Sequence, residues 1–309
     1  MEENKPKEAA DLGFGTRITG RNQRLLNKSG AFNVERIGEK NWTPYQDLVE
    51  MPFKPFLWKV LVYYISVNLF FALVVSAFGV ECLNGVKDED AVRNFLHAWF
   101  FSVQTFTTVG YGSISPACIS TNFLATIIAL TGVLTFAIIT GILFARFSKP
   151  QAQLAFSKNA IIAPYRCCKS LQFRIVNRRN NQLIDVEAKV NLSWVADDGK
   201  GGKRRQFARL PLELDKAMML SLNWNIVHPI DEASPFWGKT AADLAEMEVE
   251  VIALIEAFDE SFSQMVHTQY SYTDDEILWN VRFKLMYYPG EDGKTVLDLN
   301  LIDEVVGVW

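Results

Sequence analysis

The sequence predicts a chain of two kinds of structure, a small membrane-embedded α-helical part followed by an all-β domain. Apolar residues make up 49% of the 309 positions, and they concentrate between Pro55 and Phe147. Two stretches there exceed the roughly 20 apolar residues that a bilayer crossing requires. From Leu171 onward the apolar pattern switches to period two, the mark of half-buried strands. A length of 309 suggests two or three domains. The net charge of −4 gives no argument for a nucleic-acid partner. The first 40 residues are polar, with no apolar run of the kind a secretory signal contains.

Taken in order, residues 1–42 form a polar leading segment. Residues 44–55, PYQDLVEMPFKP, read as an amphipathic helix lying in the membrane interface. Tyr45, Leu48, Val49 and Met51 supply its apolar side. Residues 56–80 are the first span. Lys59 sits close enough to one end to snorkel. Asn68 lies deeper and is expected to turn to a neighbouring helix, because an unpaired amide in hydrocarbon is costly. Residues 94–107 are apolar but too short to span, so they read as a re-entrant helix. Residues 120–147 are the second span. Arg36, Lys40 and Lys54 precede the first span, and Arg146, Lys149, Lys158 and Arg166 follow the second. They outnumber Lys87 and Arg93 between the spans, which predicts that both termini lie in the cytoplasm.

Between the short helix and the second span stands Thr108-Val109-Gly110-Tyr111-Gly112. Gly110 and Gly112 can adopt positive φ. Backbone that alternates in handedness aims successive carbonyls the same way. The Thr108 hydroxyl adds one more oxygen. A single chain cannot close a ring of such oxygens, but four copies around an axis can. Stacked rings of carbonyls would replace the water shell of a potassium ion. Irregular backbone at membrane depth is tolerated only where protein buries it or it lines an aqueous path. The preceding short helix would turn its C-terminal end, and so its negative dipole end, toward the cation.

In the second half, Leu171, Phe173 and Ile175 alternate with polar residues, and so do positions 184–194. The turn-forming RRNNQ between them reads as the bend of a hairpin. Further strands are predicted at 248–258, 262–272, 277–287 and 295–301. A short helix is predicted at 239–246 with Thr240 as its N-cap. DDGKGG and PGEDG are turns. Many short strands with few helices predict an antiparallel β-sandwich.

On TTVGYG, GILFARFSKPQAQLAFSKNAII (141–162), HPIDEASPFWG (228–238) and DEILWNVRF (275–283), the chain resembles the inward-rectifier (Kir) potassium channel family, particularly its bacterial branch. The resemblance covers roughly residues 41–301. It implies a homotetramer in the cell's inner membrane. Residues 1–42 would be a cytoplasmic N-terminal segment and 43–55 a slide helix. Residues 56–149 would be the pore domain, with outer helix 56–80, pore helix 94–107, filter 108–112 and inner helix 120–147. Residues 150–309 would be a cytoplasmic immunoglobulin-like β-sandwich. Potassium is the implied permeant ion, with no cofactor. The implied partners are further copies of the chain and membrane lipids, anionic ones included.

The resemblance also implies roles for single residues. Gln104 and Ser113 flank the filter and stand where relatives carry acidic residues. Gly132 matches a bending point of the inner helix, with close helix packing as its alternative. Phe136 stands where strong rectifiers have an acid, so weak block of the cavity is expected. Phe144 matches the large residue of a helix-bundle gate, with lipid or packing contact as its alternative. Arg146 and Lys149 match basic lipid contacts, with simple positive-inside topology as the alternative. Glu256, with Asp259 and Glu260 in the girdle at 257–264, would gather cations in a cytoplasmic conduit. Cys82 and Cys118 bracket the filter region, where eukaryotic relatives have a disulfide. The alternative is two free thiols. Cys167 and Cys168 read as ordinary thiols.

No Ser/His/Asp set, metal-ligand spacing or phosphate loop emerges, and His97, His228 and His267 are isolated, so an enzyme is not expected. The competing reading is a membrane-anchored β-sandwich receptor or binding module with a vestigial or non-selective pore.

Overall fold

The computed structural model describes residues 13–15, 24–35, 37–38, 42–87, 90–148, 153–166, 168–197 and 202–308. Arg36, Lys40, Lys149, Cys167 and most of the DDGKGG turn lie outside them. The chain divides into two compact units, Glu39–Lys149 and Met1–Gly38 with Pro150–Trp309.

The first unit begins with α1 (Pro44–Glu50) and α2 (Phe53–Phe78). The predicted interfacial helix 43–55 is therefore cut in two. Met51 precedes Pro52 and has ψ 155°, because the proline ring disfavours helical backbone at the residue before it. Pro55 falls in the first turn of α2, where no intrahelical N–H is required of it. Gly79, at φ 88°, ends α2. A two-stranded ribbon follows, β1 (Leu83–Asn84) against β2 (Ser115–Pro116). Between these strands runs α3 (Ala91–Phe106), and after them α4 (Ile119–Phe147). The helices α2, with 26 residues, and α4, with 29, are long and apolar enough to cross a membrane. The 16 residues of α3 reach only about 24 Å, short of the roughly 30 Å hydrocarbon core.

These helices share a core of Phe71, Ala72, Val75, Ala98, Phe101, Phe106, Leu124 and Ile128. Asn68 is fully buried in it. Its amide donates to the Tyr64 carbonyl at 2.9 Å and accepts from the Ser102 hydroxyl at 3.1 Å. The polar residue within the first span thus faces α3. Cys82 and Cys118 are joined by a disulfide, which ties the end of α2 to the start of α4. The Thr121 hydroxyl donates to the Cys82 carbonyl at 2.9 Å beside it.

The second unit is a β-sandwich. Its strands are β3 (Leu154–Phe156), β4 (Ala160–Tyr165), β5 (Cys168–Asn177), β6 (Leu183–Asp197), β7 (Lys203–Arg209), β8 (Lys216–Met219) and β9 (Asn223–Ile230), followed after α5 (Ala241–Glu246) by β10 (Glu250–Asp259), β11 (Gln264–Thr273) and β12 (Ile277–Trp279). One sheet has the order β11-β10-β6-β7 with β8 also on β6. The other has β12-β4-β5-β3 with β9 also on β5. Ile162, Leu171, Phe173 and Ile175 of one sheet meet Val186, Ala188, Val190, Val251 and Ile255 of the other in a single core. Thr240 caps α5 as expected, accepting from the Asp243 amide. The last elements are β13 (Val281–Phe283), paired with β16 (Val305–Gly307), and the hairpin of β14 (Tyr287–Pro289) with β15 (Thr295–Leu297).

Two expectations change, and one contact was not anticipated. The runs at 171–175 and 184–194 are not a hairpin. They are β5 and β6, in different sheets, and RRNNQ crosses from one sheet to the other. Both runs bury alternate residues in one core, and period two reports burial rather than partner. The predicted strand 277–287 breaks at Asn280, which has φ 57°. Its first piece joins β4 in parallel and its second pairs with β16. The leading segment is not separate from the sandwich. Leu26 is fully buried, and the Leu25 and Leu26 amides donate to the Glu250 carboxylate at 2.8 and 3.2 Å. Arg24 pairs with Glu276 at 3.1 Å.

Two buried polar side chains hold the second unit together. Arg174 is 1% exposed. Its guanidinium donates to the carbonyls of Ile302 and Lys284, each at 2.7 Å, of Glu304 at 3.2 Å, and of Leu301. It also lies 4.4 Å from the centre of the Phe283 ring. Burial lowers its pKa to about 10, so it stays charged at neutral pH. His228 is 3% exposed, between the Pro211 carbonyl at 2.6 Å and the Ser234 hydroxyl at 2.8 Å. A carbonyl only accepts, so Nδ1 carries the proton and Nε2 accepts from Ser234. Burial pushes the His228 pKa below its ordinary 6.5.

Replacing Arg174 by Met strands carbonyls of the C-terminal segment at about 1–3 kcal/mol per buried unpaired group. The expected loss is on the order of 3 kcal/mol, read from chemical unfolding of the full chain. For His228 the sign follows from its lowered pKa. As pH falls through 6.5 the unfolded chain takes up a proton that the folded chain refuses, so stability falls on acidification. The midpoint of thermal unfolding is expected to drop between pH 7.5 and 5.5, and His228→Gln to flatten that slope.

Candidate functional site

The site that the sequence marks out is the loop after α3. Its backbone alternates as required. Thr108, Gly110 and Gly112 have φ 58°, 55° and 79°, while Val109 and Tyr111 are not in the positive-φ region. The glycines were expected there, and Thr108 was not. Left-handed backbone at a β-branched residue costs about 1–3 kcal/mol and persists only where surroundings enforce it. Sequence reasoning had no signal for this, since threonine rarely adopts it.

The enforcing contacts come from α3. The Thr108 amide donates to the Thr105 carbonyl at 3.1 Å, and the Gly110 amide to the Gln104 carbonyl at 3.1 Å. The Gln104 side chain, 8% exposed, donates to the Ile114 carbonyl at 2.9 Å. One residue therefore holds the loop at both ends, by its main chain and by its amide. Ser113 does not brace the loop with a described side-chain bond. Its carbonyl instead faces Gly85, where a Cβ would come within 1.9 Å of it. Val109 and Tyr111 are 52% and 80% exposed in the single chain, so one face of the loop is uncovered.

Gly132 is buried in α4 against the end of α3. A Cβ there would lie 1.9 Å from the Phe106 carbonyl. The helix α4 runs unbroken through it. Gly132 thus sits in close packing against α3 within one continuous helix. Phe136 and Phe144 project from α4 at 75% and 73% exposure. Phe136 lines an apolar cavity of about 670 Å³ with Leu57, Tyr64, Phe106, Thr108 and Gly132.

Arg146 is not presented as a free cation. Its guanidinium donates to the carbonyls of Leu48, of Val49 at 3.1 Å and of Met51 at 2.6 Å, and lies 4.7 Å from the centre of the Phe56 ring. The end of α1 thus supplies protein partners for the guanidinium. Lys149, its expected companion, lies outside the described residues. The signal available in the sequence was the lack of a basic residue in the last turn of α1.

The expected acidic set in the second unit also divides. Asp259 is 1% exposed. Its carboxylate accepts from the Asn181 amide at 2.8 Å and from the Ser261 backbone amide at 2.9 Å, so it shapes the β10–β11 turn. Glu256 is paired with Lys189 at 2.7 Å, which raises the Lys189 pKa. Glu260 is exposed in the turn. Lys189 also lies 3.8 Å from Glu187, whose carboxylate meets Lys216 at 3.2 Å. That charge row on the outer face of β6, β8 and β10 was missed because its members are far apart in sequence. Among the described residues no three His, Cys, Asp or Glu side chains group to hold a metal ion.

Comparison with known proteins agrees with this geometry. Residues 154–309 match the family model of the inward rectifier potassium channel C-terminal domain, and residues 42–155 match that of the ion transport proteins. The chain is 32% identical over 295 residues to the inward rectifier potassium channel Kirbac3.1 of Paramagnetospirillum magnetotacticum, covering 94% of this chain and 98% of that one. It is 28% identical over 289 residues to the human G protein-activated inward rectifier potassium channel 4, covering 84% of this chain and 68% of that one. A sporulation control protein of Bacillus subtilis aligns with 42% of this chain and 50% of its own at 7% identity and a TM-score of 0.20, too low to bear on the fold. The family is one of ion channels and not of enzymes, and on these matches together the chain belongs to the inward rectifier potassium channels.

Proposed function

We propose that four copies of the chain form a potassium-selective channel whose filter is the loop Thr108–Gly112. The observation that carries this is the alternation of backbone handedness at Thr108, Gly110 and Gly112, held by α3 between two apolar helices. Alternation lets successive carbonyls share one direction. Four such loops around an axis make layers of oxygens that replace potassium's hydration shell. The exposed Val109 and Tyr111 are surfaces for neighbouring copies to cover. Permeation is passive, with ions displacing one another between adjacent sites.

The remaining parts follow. Phe144, one turn from the end of α4, closes the path when four rings meet and exclude water. Phe136 gives the cavity an apolar wall with no carboxylate to hold a blocking cation. Glu256 shares its charge with Lys189, so block at that level is weak as well. Rectification is then weak. Both termini and the β-sandwich lie on the cytoplasmic side, and the disulfide lies outside, where an oxidising medium preserves it.

Reconstitution into liposomes tests the reading. Uptake driven by a potassium gradient is expected, blocked by barium and absent with sodium. Equal sodium uptake would favour the membrane-anchored binding module instead. Gln104→Leu removes the bond to Ile114, worth about 1 kcal/mol, and is expected to lower potassium-over-sodium selectivity by roughly fivefold. Gln104→Glu also loses the donor and sets an acceptor-only carboxylate against the Ile114 carbonyl, so its selectivity is expected to fall at least as far as that of Gln104→Leu.

A further inference from the structure

The contact between α2 and α3 is built as a ladder. Tyr64 and Asn68 stand one turn apart on α2, and Phe106 and Ser102 one turn apart on α3. The Tyr64 ring meets the Phe106 ring edge-on, with centroids 5.7 Å apart. The Asn68 carboxamide oxygen accepts from the Ser102 hydroxyl at 3.1 Å. One turn further on each helix stand Ala72 and Ala98, both fully buried in the same core, where small residues let helices approach closely. The polar rung lies between these apolar ones. Asn68 and Ser102 are both fully buried. The Asn68 NH2 group donates to the Tyr64 carbonyl of its own helix at 2.9 Å, which fixes the side chain and leaves its oxygen turned to α3. Apolar contacts are non-directional and tolerate sliding. This pair does not. A slip of one turn would set the Asn68 oxygen against Ala98 or Phe106, whose side chains have no donor, and a buried unpaired carboxamide is costly. A single buried asparagine fixes the register of coiled-coil helices in the same way.

We propose that the Asn68–Ser102 bond is a register pin, which sets the height of α3 along α2 and through it the ion selectivity of the loop at Thr108–Gly112. Ser102 is two residues before Gln104, whose carbonyl takes the Gly110 amide and whose side chain donates to the Ile114 carbonyl. Thr105, whose carbonyl takes the Thr108 amide, is three residues after it. The carbonyls that hold the loop therefore sit within one turn of the pinned residue. A shift of α3 by a fraction of its 5.4 Å pitch would carry them away from the Thr108 and Gly110 amides. Asn68 and Ser102 are positioning residues, acting on the loop through α3. The inference rests on the reading of Thr108–Gly112 as the filter.

The test reads the pin and the selectivity separately. The full chain carrying Asn68→Leu, Ser102→Ala or both is reconstituted in liposomes. Potassium and sodium uptake are compared. Solid-state NMR of labelled threonine records the Thr108 signal, whose shift reports its left-handed backbone at φ 58°. Each single variant is expected to lower potassium-over-sodium selectivity about threefold, the scale of one hydrogen bond between membrane helices. Each is also expected to draw intensity out of the parent Thr108 signal. The double variant is expected to match the single ones, because either substitution removes the whole pin. Ser102→Ala deletes a single oxygen and decides alone should Asn68→Leu fail to fold. Phe71→Leu removes apolar contact from the same core and lowers thermal stability, and it is expected to leave selectivity and the Thr108 signal at their parent values. Parent values of both readouts in Ser102→Ala overturn the pin. So do losses that multiply in the double variant, and so does an equal loss of selectivity in Phe71→Leu, which would mark a general weakening of the core. A changed Thr108 signal with unchanged selectivity overturns the link from register to selectivity. If the parent shows no preference for potassium over sodium, the filter reading fails while the Thr108 signal still decides the pin.

Discussion

Main-chain polar groups inside a membrane must find partners, and the rest of the helical unit is arranged around that requirement. The loop at Thr108–Gly112 cannot satisfy its own amides as a helix does. Its partners are therefore supplied by α3, through the Thr105 and Gln104 carbonyls. That dictates the length of α3. A helix of 16 residues is too short to cross the hydrocarbon and leaves its C-terminal carbonyls beside the loop. It also dictates the packing around α3. Gly132 lets α4 come against Phe106, and Asn68 ties α2 to Ser102 by its amide. A larger residue at Gly132 would push α4 away from the point where α3 ends. The loop would then lose the wall behind Thr108.

The same rule governs the β unit, with charge in place of strain. Arg174 is a buried cation with no carboxylate in salt-bridge contact among the described residues, although Asp303 attracts it. It is tolerable because four carbonyls of the C-terminal segment share it. Glu250 is a buried anion, 1% exposed, that receives two amides of the leading segment. In each case main chain from far along the sequence comes to the buried charge, and Glu250 also has the buried Arg205 guanidinium at 3.9 Å. The sandwich core is made by apolar residues, which are non-directional. The placement of the two terminal segments is made by these two charges, which are directional. Hydrophobic burial sets how the sheets stack, and buried charge sets where the ends of the chain lie.

What the sequence made legible follows this division. Apolar length gave both spans, and the shortness of α3 was visible in the same way. Period two gave the strands and one common core. It did not give pairing, because β5 and β6 bury alternate residues identically whether they are neighbours or face each other across the core. The glycines of the filter loop were legible, since few other residues accept positive φ. Thr108 was not, since its conformation is imposed by contacts and opposed by its own side chain. The partners of Asp259 and Arg146 were not legible for one reason. Charge in a sequence is taken to face water, and the carbonyls and amides that can bury it do not show there. Asp259 meets an asparagine 78 residues away, and Arg146 meets carbonyls more than 90 residues away.

Electrostatics along the proposed path follow from which charges remain unpaired. Glu256 has Lys189 at 2.7 Å, and Lys189 also feels Glu187, which Lys216 attracts in turn. Alternating signs a few ångströms apart cancel within about a Debye length of 8–10 Å. A cation passing at a greater distance would feel little from that row. Asp259 is turned inward, so Glu260 is the acid of the expected set left without an opposite charge in contact among the described residues. The proposed filter would depend on backbone dipoles instead, which no side-chain pairing can cancel. In the proposed channel, selectivity and block would therefore be separable. The first rests on main-chain oxygens held by α3, and the second on carboxylates that the fold has mostly neutralised or buried.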